Sequence, residues 1–163
     1  MKGLILNHFW SQHTHELEEA CVDRTVALLN NLKDWPIYTR QITHKKILDA
    51  ITNKNLHDEP CRWDQGDCII YNLQTWIKEN KIDKIYVAGF NFNYCVMELA
   101  SYVRGAIEAL PELRFQDNCT LHIIKECSVA FDEKLQTPKN VLEYNYGMDK
   151  NDVDPWLISI SKL

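Results

Sequence analysis

The chain has 163 residues, 45% hydrophobic and 25% charged, with a formal net charge of −5. That is the size and make-up of one globular domain able to bury a core without staples, and the acidic balance with no basic run excludes a surface that grips a nucleic-acid backbone by charge. No apolar stretch approaches the ~20 residues needed to cross a bilayer, and five glycines and five prolines leave little room for a flexible linker, so residues 1–163 read as a single domain without repeats.

Cysteines stand at positions 21, 61, 68, 95, 119 and 127. None lies in a CxxC pair, and the apolar part of Met1-Lys2-Gly3-Leu4-Ile5-Leu6-Asn7 is too short for a signal peptide. Reduced thiols in a cytoplasmic setting are therefore expected.

Gly3-Leu4-Ile5-Leu6 reads as a buried parallel strand that ends in Asn7, His8, Phe9 and Trp10. Leu17, Cys21, Thr25, Leu28 and Leu32 then share one helical face, which predicts a helix over 14–33 with Glu16, Glu18 and Glu19 in its first turn. Trp35-Pro36 breaks it, and residues 37–43 have strand composition. A short helix is expected on Ile47, Leu48 and Ile51, an irregular segment over 56–67, and a helix over 68–80 on Ile69, Leu73, Trp76 and Ile77. A strand over 85–88 follows, then a helix through Val96, Leu99, Ala100, Val103, Ala106 and Leu110. Leu121 to Ile124 is another strand and Trp156 to Ile160 the last, with a weakly patterned segment from Pro138 to Asp152 before it. Alternating strand and helix points to right-handed βαβ units around a parallel sheet.

Within that order, Lys84-Ile85-Tyr86-Val87-Ala88-Gly89 runs into a polar and aromatic turn, Phe90-Asn91-Phe92-Asn93-Tyr94, and Cys95 opens the next helix. Ligands and catalytic groups collect outside the carboxyl ends of parallel strands. A thiol at a helix N-terminus is also tuned toward the nucleophilic thiolate. Cys95 is thus either a nucleophile or a small buried hydrophobe, the commoner fate of a free cysteine.

The segment Val87-Ala88-Gly89-Phe90-Asn91-Phe92-Asn93-Tyr94-Cys95-Val96 resembles the signature of the isochorismatase-like cysteine hydrolases, in which a strand ending in V-A-G-V leads through a short turn to D/N-x-C-V at the head of a helix. Ala100 and Gly105 fit residues that recur in that helix, Pro36-Ile37-Tyr38-Thr39-Arg40 looks like the family's second strand, and Glu126-Cys127-Ser128-Val129-Ala130 sits where a family strand ends in D-A. The resemblance implies a three-layer α/β/α sandwich with a mostly parallel, Rossmann-like sheet in the order 3-2-1-4-5-6. It also implies a cysteine nucleophile acting on a small amide, ester or related substrate, and association as a homo-oligomer. No cofactor is expected, and the charge balance and the lack of a long apolar stretch leave no nucleic-acid or membrane partner.

The family uses an aspartate, a lysine and a cysteine. Asn7 stands at the aspartate position, and counting back from Ile82 through Ile77 and Leu73 places Arg62 at the lysine, Gly66 at the pattern's serine and Cys68 at its phenylalanine. An asparagine amide has no proton equilibrium to offer as a base, and arginine stays protonated with a different reach from lysine. Losing one member of such a unit commonly costs ~10³ or more in rate. Catalysis then requires another base, for which His8 and Asp64 are the candidates, and Asn7 is left to orient the thiol or a water. The alternative is a catalytically degenerate member that binds a small molecule or a protein partner.

In this reading the backbone N–H groups from Phe92 to Cys95 form an oxyanion hole, with Asn91, Asn93 and Tyr94 in the same turn and Phe90, His8 and Phe9 beside it. The ring-rich surroundings, Phe9, Trp10, Trp63, Phe90, Phe92 and Tyr94, serve either to wall a small apolar pocket or to pack a core or subunit contact. Some family members hold a metal with an aspartate and paired histidines after the second strand. Here only His44 and His57 follow Arg40, and the His13-Thr14-His15 run is too lone to supply three or four ligands, so no metal is expected.

Overall fold

The computed structural model describes residues 1–11, 16–90, 95–109, 119–129, 138–139 and 157–163. Its elements are β1 (Lys2–Asn7), α1 (Glu16–Asn31), β2 (Ile37–Arg40), α2 (Lys45–Ile51), β3 (Leu56–Asp58), α3 (Gly66–Glu79), β4 (Lys84–Gly89), α4 (Met97–Glu108), β5 (Thr120–Ser128) and β6 (Leu157–Ile158), with a closing 3-10 turn over Ile160–Lys162. The strands form one six-stranded sheet in the order β3-β2-β1-β4-β5-β6, and every pairing is parallel. The three-layer α/β fold expected from the sequence is the one observed.

The layers follow from the two-residue repeat of the strands. Leu4, Leu6, Ile37, Tyr86, Ala88 and Ile124 turn to one face, where they meet Cys21, Val22, Leu28 and Leu29 of α1 and Ile47 and Ile51 of α2. Ile5, Tyr38, Ile85, Val87 and Ile123 turn to the other, against Ile69, Leu73, Trp76 and Ile77 of α3 and Val96, Leu99, Ala100, Val103 and Ala106 of α4. With helices on both faces, the central strands have no polar side, which is why β1 and β4 read as unbroken apolar runs. Each large side chain so buried stabilises the fold by roughly 1.5–3 kcal/mol relative to exposure.

Two expectations are corrected. The segment predicted to be irregular contains β3, a three-residue edge strand with Leu56 and Asp58 exposed. With so little of it buried, it lacks the apolar signature of its neighbours. Cys61 and Cys68, expected as free thiols, are joined as a disulfide with Cα atoms 6.2 Å apart. Their proximity comes from the turn that carries the chain from β3 into α3, which spacing alone does not reveal. Most of the weakly patterned 138–152 segment lies outside the described residues. Among the described residues no helix is long and apolar enough to cross a membrane.

Candidate functional site

Strand order reverses between β1 and β4, which are neighbours although three helices and two strands separate them in sequence. Crossovers leave to opposite faces at such a point, and a crevice opens beyond the strand ends. The register sets four strand ends level there, pairing Asn7 with Arg40 and with Gly89, and Gly89 with Ser128. Gly89 has φ +149°, and a Cβ on it would lie 1.9 Å from the Asn7 carbonyl oxygen. Only glycine permits β1 and β4 to end this close together. The Phe90 N–H donates to that same carbonyl at 3.1 Å.

His8 leaves β1 with φ 62°, a left-handed conformation that histidine tolerates better than most side chains. Its N–H donates to the Arg40 carbonyl at 2.8 Å, and the next residue's carbonyl, that of Phe9, accepts from Thr43 and His44, each at 2.9 Å. These bonds pin the turn and aim the imidazole across the switch point. Nδ1 of His8 stands 2.9 Å from Sγ of Cys95, two residues before the start of α4. The ring is further fixed by an edge contact with Trp10, centroid to centroid 4.1 Å.

Burial pushes the His8 pKa down from 6.5 to about 4, and the Arg40 guanidinium adds to the effect in the same direction. The imidazole is therefore neutral at pH 7. A neutral ring with Nδ1 at hydrogen-bond distance from a thiol accepts the S–H proton, with the N–H on Nε2. This is the arrangement of a general base beside its nucleophile.

Arg40 is 3% exposed and pairs with Glu98 of α4, Nη2 to Oε1 at 3.3 Å. Its Nε has no hydrogen-bond partner among the described residues, nor do the amide oxygen and nitrogen of Asn7 or the hydroxyl of Ser128. Buried polar atoms left unmade are costly in a fold, and these three residues are the ends of β2, β1 and β5. They bring polar side chains to the same end of the sheet as His8 and Cys95. Arg40, Ser128 and Glu98 were not singled out from the sequence. The signal was present in β2, where a strand buried at all four positions closes on a charged residue.

The other expected site residues are distributed unevenly. Arg62, aligned with the family lysine, is exposed and holds Asp64 in an ion pair at 2.8 Å. That pairing lowers the Asp64 pKa, so this carboxylate is a weaker base than usual. The buried cation beside His8 is Arg40. Phe9 and Phe90 are both buried, their rings 5.0 Å apart, within the core on the α1 and α2 face. Asn91, Phe92, Asn93 and Tyr94 lie outside the described residues.

An open parallel sheet with a histidine and a cysteine facing each other across its switch point defines the class of this protein as an α/β domain with a His–Cys contact at its strand ends. No protein-family model matches the chain, and no curated protein matches it. Its fold is similar to that of YcaC from Pseudomonas aeruginosa, solved with hexane-2,5-diol and covalent acrylamide, at a TM-score of 0.57 and 10% identity over 99% of this chain and 77% of that one. It is likewise similar to YcaC from Escherichia coli, described as an octameric hydrolase of unknown specificity, at a TM-score of 0.52 and 14% identity over 96% of this chain and 78% of that one.

Proposed function

We propose that this chain is an isochorismatase-like hydrolase that cleaves a small amide, ester or related substrate through a thioester on Cys95, with His8 serving as the base in place of the family aspartate. The observation that carries this reading is the 2.9 Å approach of His8 Nδ1 to Cys95 Sγ, made by a ring that is neutral at pH 7. Similarity of fold to a hydrolase supports the reaction class, and the sequence resemblance around Cys95 supports the nucleophile.

In the proposed reaction the thiol proton passes to His8 Nδ1 as sulfur bonds to the substrate carbonyl carbon. The charge that builds on oxygen is met by the positive N-terminal end of α4, which Cys95 adjoins. The His8 proton then goes to the departing amine or alcohol, which leaves a thioester. Water attacks that thioester, its proton returns through His8, and the thiolate leaves with a carboxylic acid as product. Asn7, whose amide cannot take a proton, orients the thiol or the water. The reading includes homo-oligomeric association, as described for YcaC from Escherichia coli, and a reducing, cytoplasmic setting that keeps the thiol active.

Mass spectrometry of the protein after brief exposure to activated small esters and amides tests the reading. An acyl group on Cys95 that disappears on standing, and that forms far more slowly in His8→Gln, is the expected result. No acylation, combined with thermal stabilisation by small amides that survives Cys95→Ala, would instead support a binding protein without turnover.

A further inference from the structure

Outside the crevice, three metal-ligating side chains converge at the edge of the sheet. Single ligand atoms of Glu59, Cys61 and Cys68 all lie within 4.8 Å of one another. Glu59 follows β3 directly, Cys61 is in the turn beyond it, and Cys68 is in the first turn of α3. In the sheet, β2 and β1 lie between β3 and β4.

Glu59 is 7% exposed, and among the described residues no cationic side chain pairs with it. Its Oε1 accepts from the Cys61 N–H at 2.7 Å and from Asn72 Nδ2 at 2.9 Å, and its Oε2 accepts from the Tyr38 hydroxyl. All three of these partners are neutral donors. The same Asn72 nitrogen lies 3.4 Å from Cys61 Sγ and 3.8 Å from Cys68 Sγ. One amide thus faces all three acceptor side chains, the way outer groups orient the ligands of a metal. Both sulfurs are joined in the structure, so each is already within reach of a shared ion when the bond is opened.

We propose that the Cys61–Cys68 pair, once reduced, forms with Glu59 a site for one thiophilic divalent cation of the zinc class. Reduction by two equivalents of a thiol opens the disulfide to two cysteine thiols and gives one disulfide of the reductant. Binding of the cation releases the two thiol protons to solvent and leaves two thiolates and one carboxylate as ligands. Two sulfurs and an oxygen suit Zn²⁺ better than the hard cations, and three protein ligands leave a fourth position for water. The N-terminal turn of α3 favours the thiolate of Cys68, and its exposure gives the ion a way in. Oxidation of the pair removes both sulfur ligands at once. This site does not depend on the chemistry assigned to Cys95.

Cobalt(II) titration of the full chain tests the proposal, after reduction with dithiothreitol and anaerobic gel filtration. One equivalent of Co²⁺ is expected to give a near-ultraviolet thiolate-to-cobalt charge-transfer band that one equivalent of Zn²⁺ abolishes. The band is expected to be absent from the same protein left oxidised and from Cys68→Ser, and Glu59→Gln is expected to weaken Co²⁺ binding at least ~10-fold, as loss of a ligand-shell group commonly does. The oxidised wild type needs no substitution, so a folding defect in a variant leaves the comparison intact. A reduced wild type without the band, or a band of equal strength in Cys61→Ser/Cys68→Ser, would overturn it.

Discussion

Cys95 and the pair Cys21 and Cys127 are the same residue in opposite surroundings. Cys21 and Cys127 are 2% and 0% exposed in the core on the α1 and α2 face. Burial pushes the Cys21 pKa well above the ordinary thiol range and that of Cys127 to about 11, against a smaller opposing pull from Thr25. Cys95 is half-buried beside the strand ends with an imidazole nitrogen 2.9 Å from its sulfur. In the sequence, Cys21 falls on the apolar face of a helix, whereas Cys95 stands at the head of one. What separates them is whether the fold brings a proton acceptor to the sulfur or only hydrocarbon. In this chain that acceptor comes from the next strand in the sheet, not from the next residue.

Removing the acceptor breaks the contrast most strongly. His8→Gln keeps a polar side chain but loses the base, and acylation of Cys95 is expected to fall by ~10²–10⁴, the usual contribution of a positioned base. Stopped-flow acylation with an activated ester measures it, and an unchanged rate would remove His8 from the mechanism. Gly89→Ala attacks the same geometry from the backbone. A Cβ placed 1.9 Å from the Asn7 carbonyl at φ +149° is expected to cost ~3 kcal/mol or more in denaturant titration, in the range of the severe single substitutions.

The electrostatics of His8 give the next effect. Its pKa of about 4 in the folded chain lies below the ordinary 6.5, so the unfolded chain takes up this proton first. The corresponding stability is complete above pH 6.5 and is lost as the pH falls toward 4, with no further change from this group below that. The acid limb of the acylation rate is likewise expected near pH 4. Arg40→Met removes the cation that helps hold the ring neutral, and is expected to move that limb upward toward 6.5. A limb that stays put would show that burial alone sets the His8 pKa.

Asn7 provides the smallest effect and the opposite sign. Its amide is buried with both polar atoms unpartnered among the described residues. Replacement by an apolar residue of similar size removes that desolvation cost, so Asn7→Leu is expected to raise stability by ~1 kcal/mol while slowing acylation. A loss of stability would mean that the amide is satisfied in the folded protein.

The fold was largely legible because both faces of the sheet are covered. β1 and β4 are unbroken apolar runs, and α1, α3 and α4 carry their period over three or more turns. β3 was not legible, since an exposed edge strand of three residues has neither alternation nor an apolar run. At the site, Cys95 could be read from the strand, turn and helix that seat it. Asn7 could be read as a departure from a pattern. His8 was one of two bases consistent with the chain, and its φ of 62°, which turns it toward Cys95, is a property of the turn rather than of any residue type. Arg62 and Arg40 show the same limit. Arg40 closes a strand and Arg62 follows one, and only the sheet register distinguishes the one that ends beside Asn7 from the one that pairs with Asp64 at the surface.

Competitive alkylation separates an activated Cys95 from an inert one. The folded protein is exposed to limiting iodoacetamide at pH 6, where His8 is neutral, and the labelled peptides are quantified. Cys119, half-buried with its pKa pushed up to about 11 by burial, is the internal control, and Cys21 and Cys127 report unfolding. Cys95 is predicted to label well before Cys119, with that advantage lost in His8→Gln and with Cys21 and Cys127 unlabelled until the chain unfolds. Equal labelling of Cys95 and Cys119, or an advantage that His8→Gln leaves intact, would contradict the account.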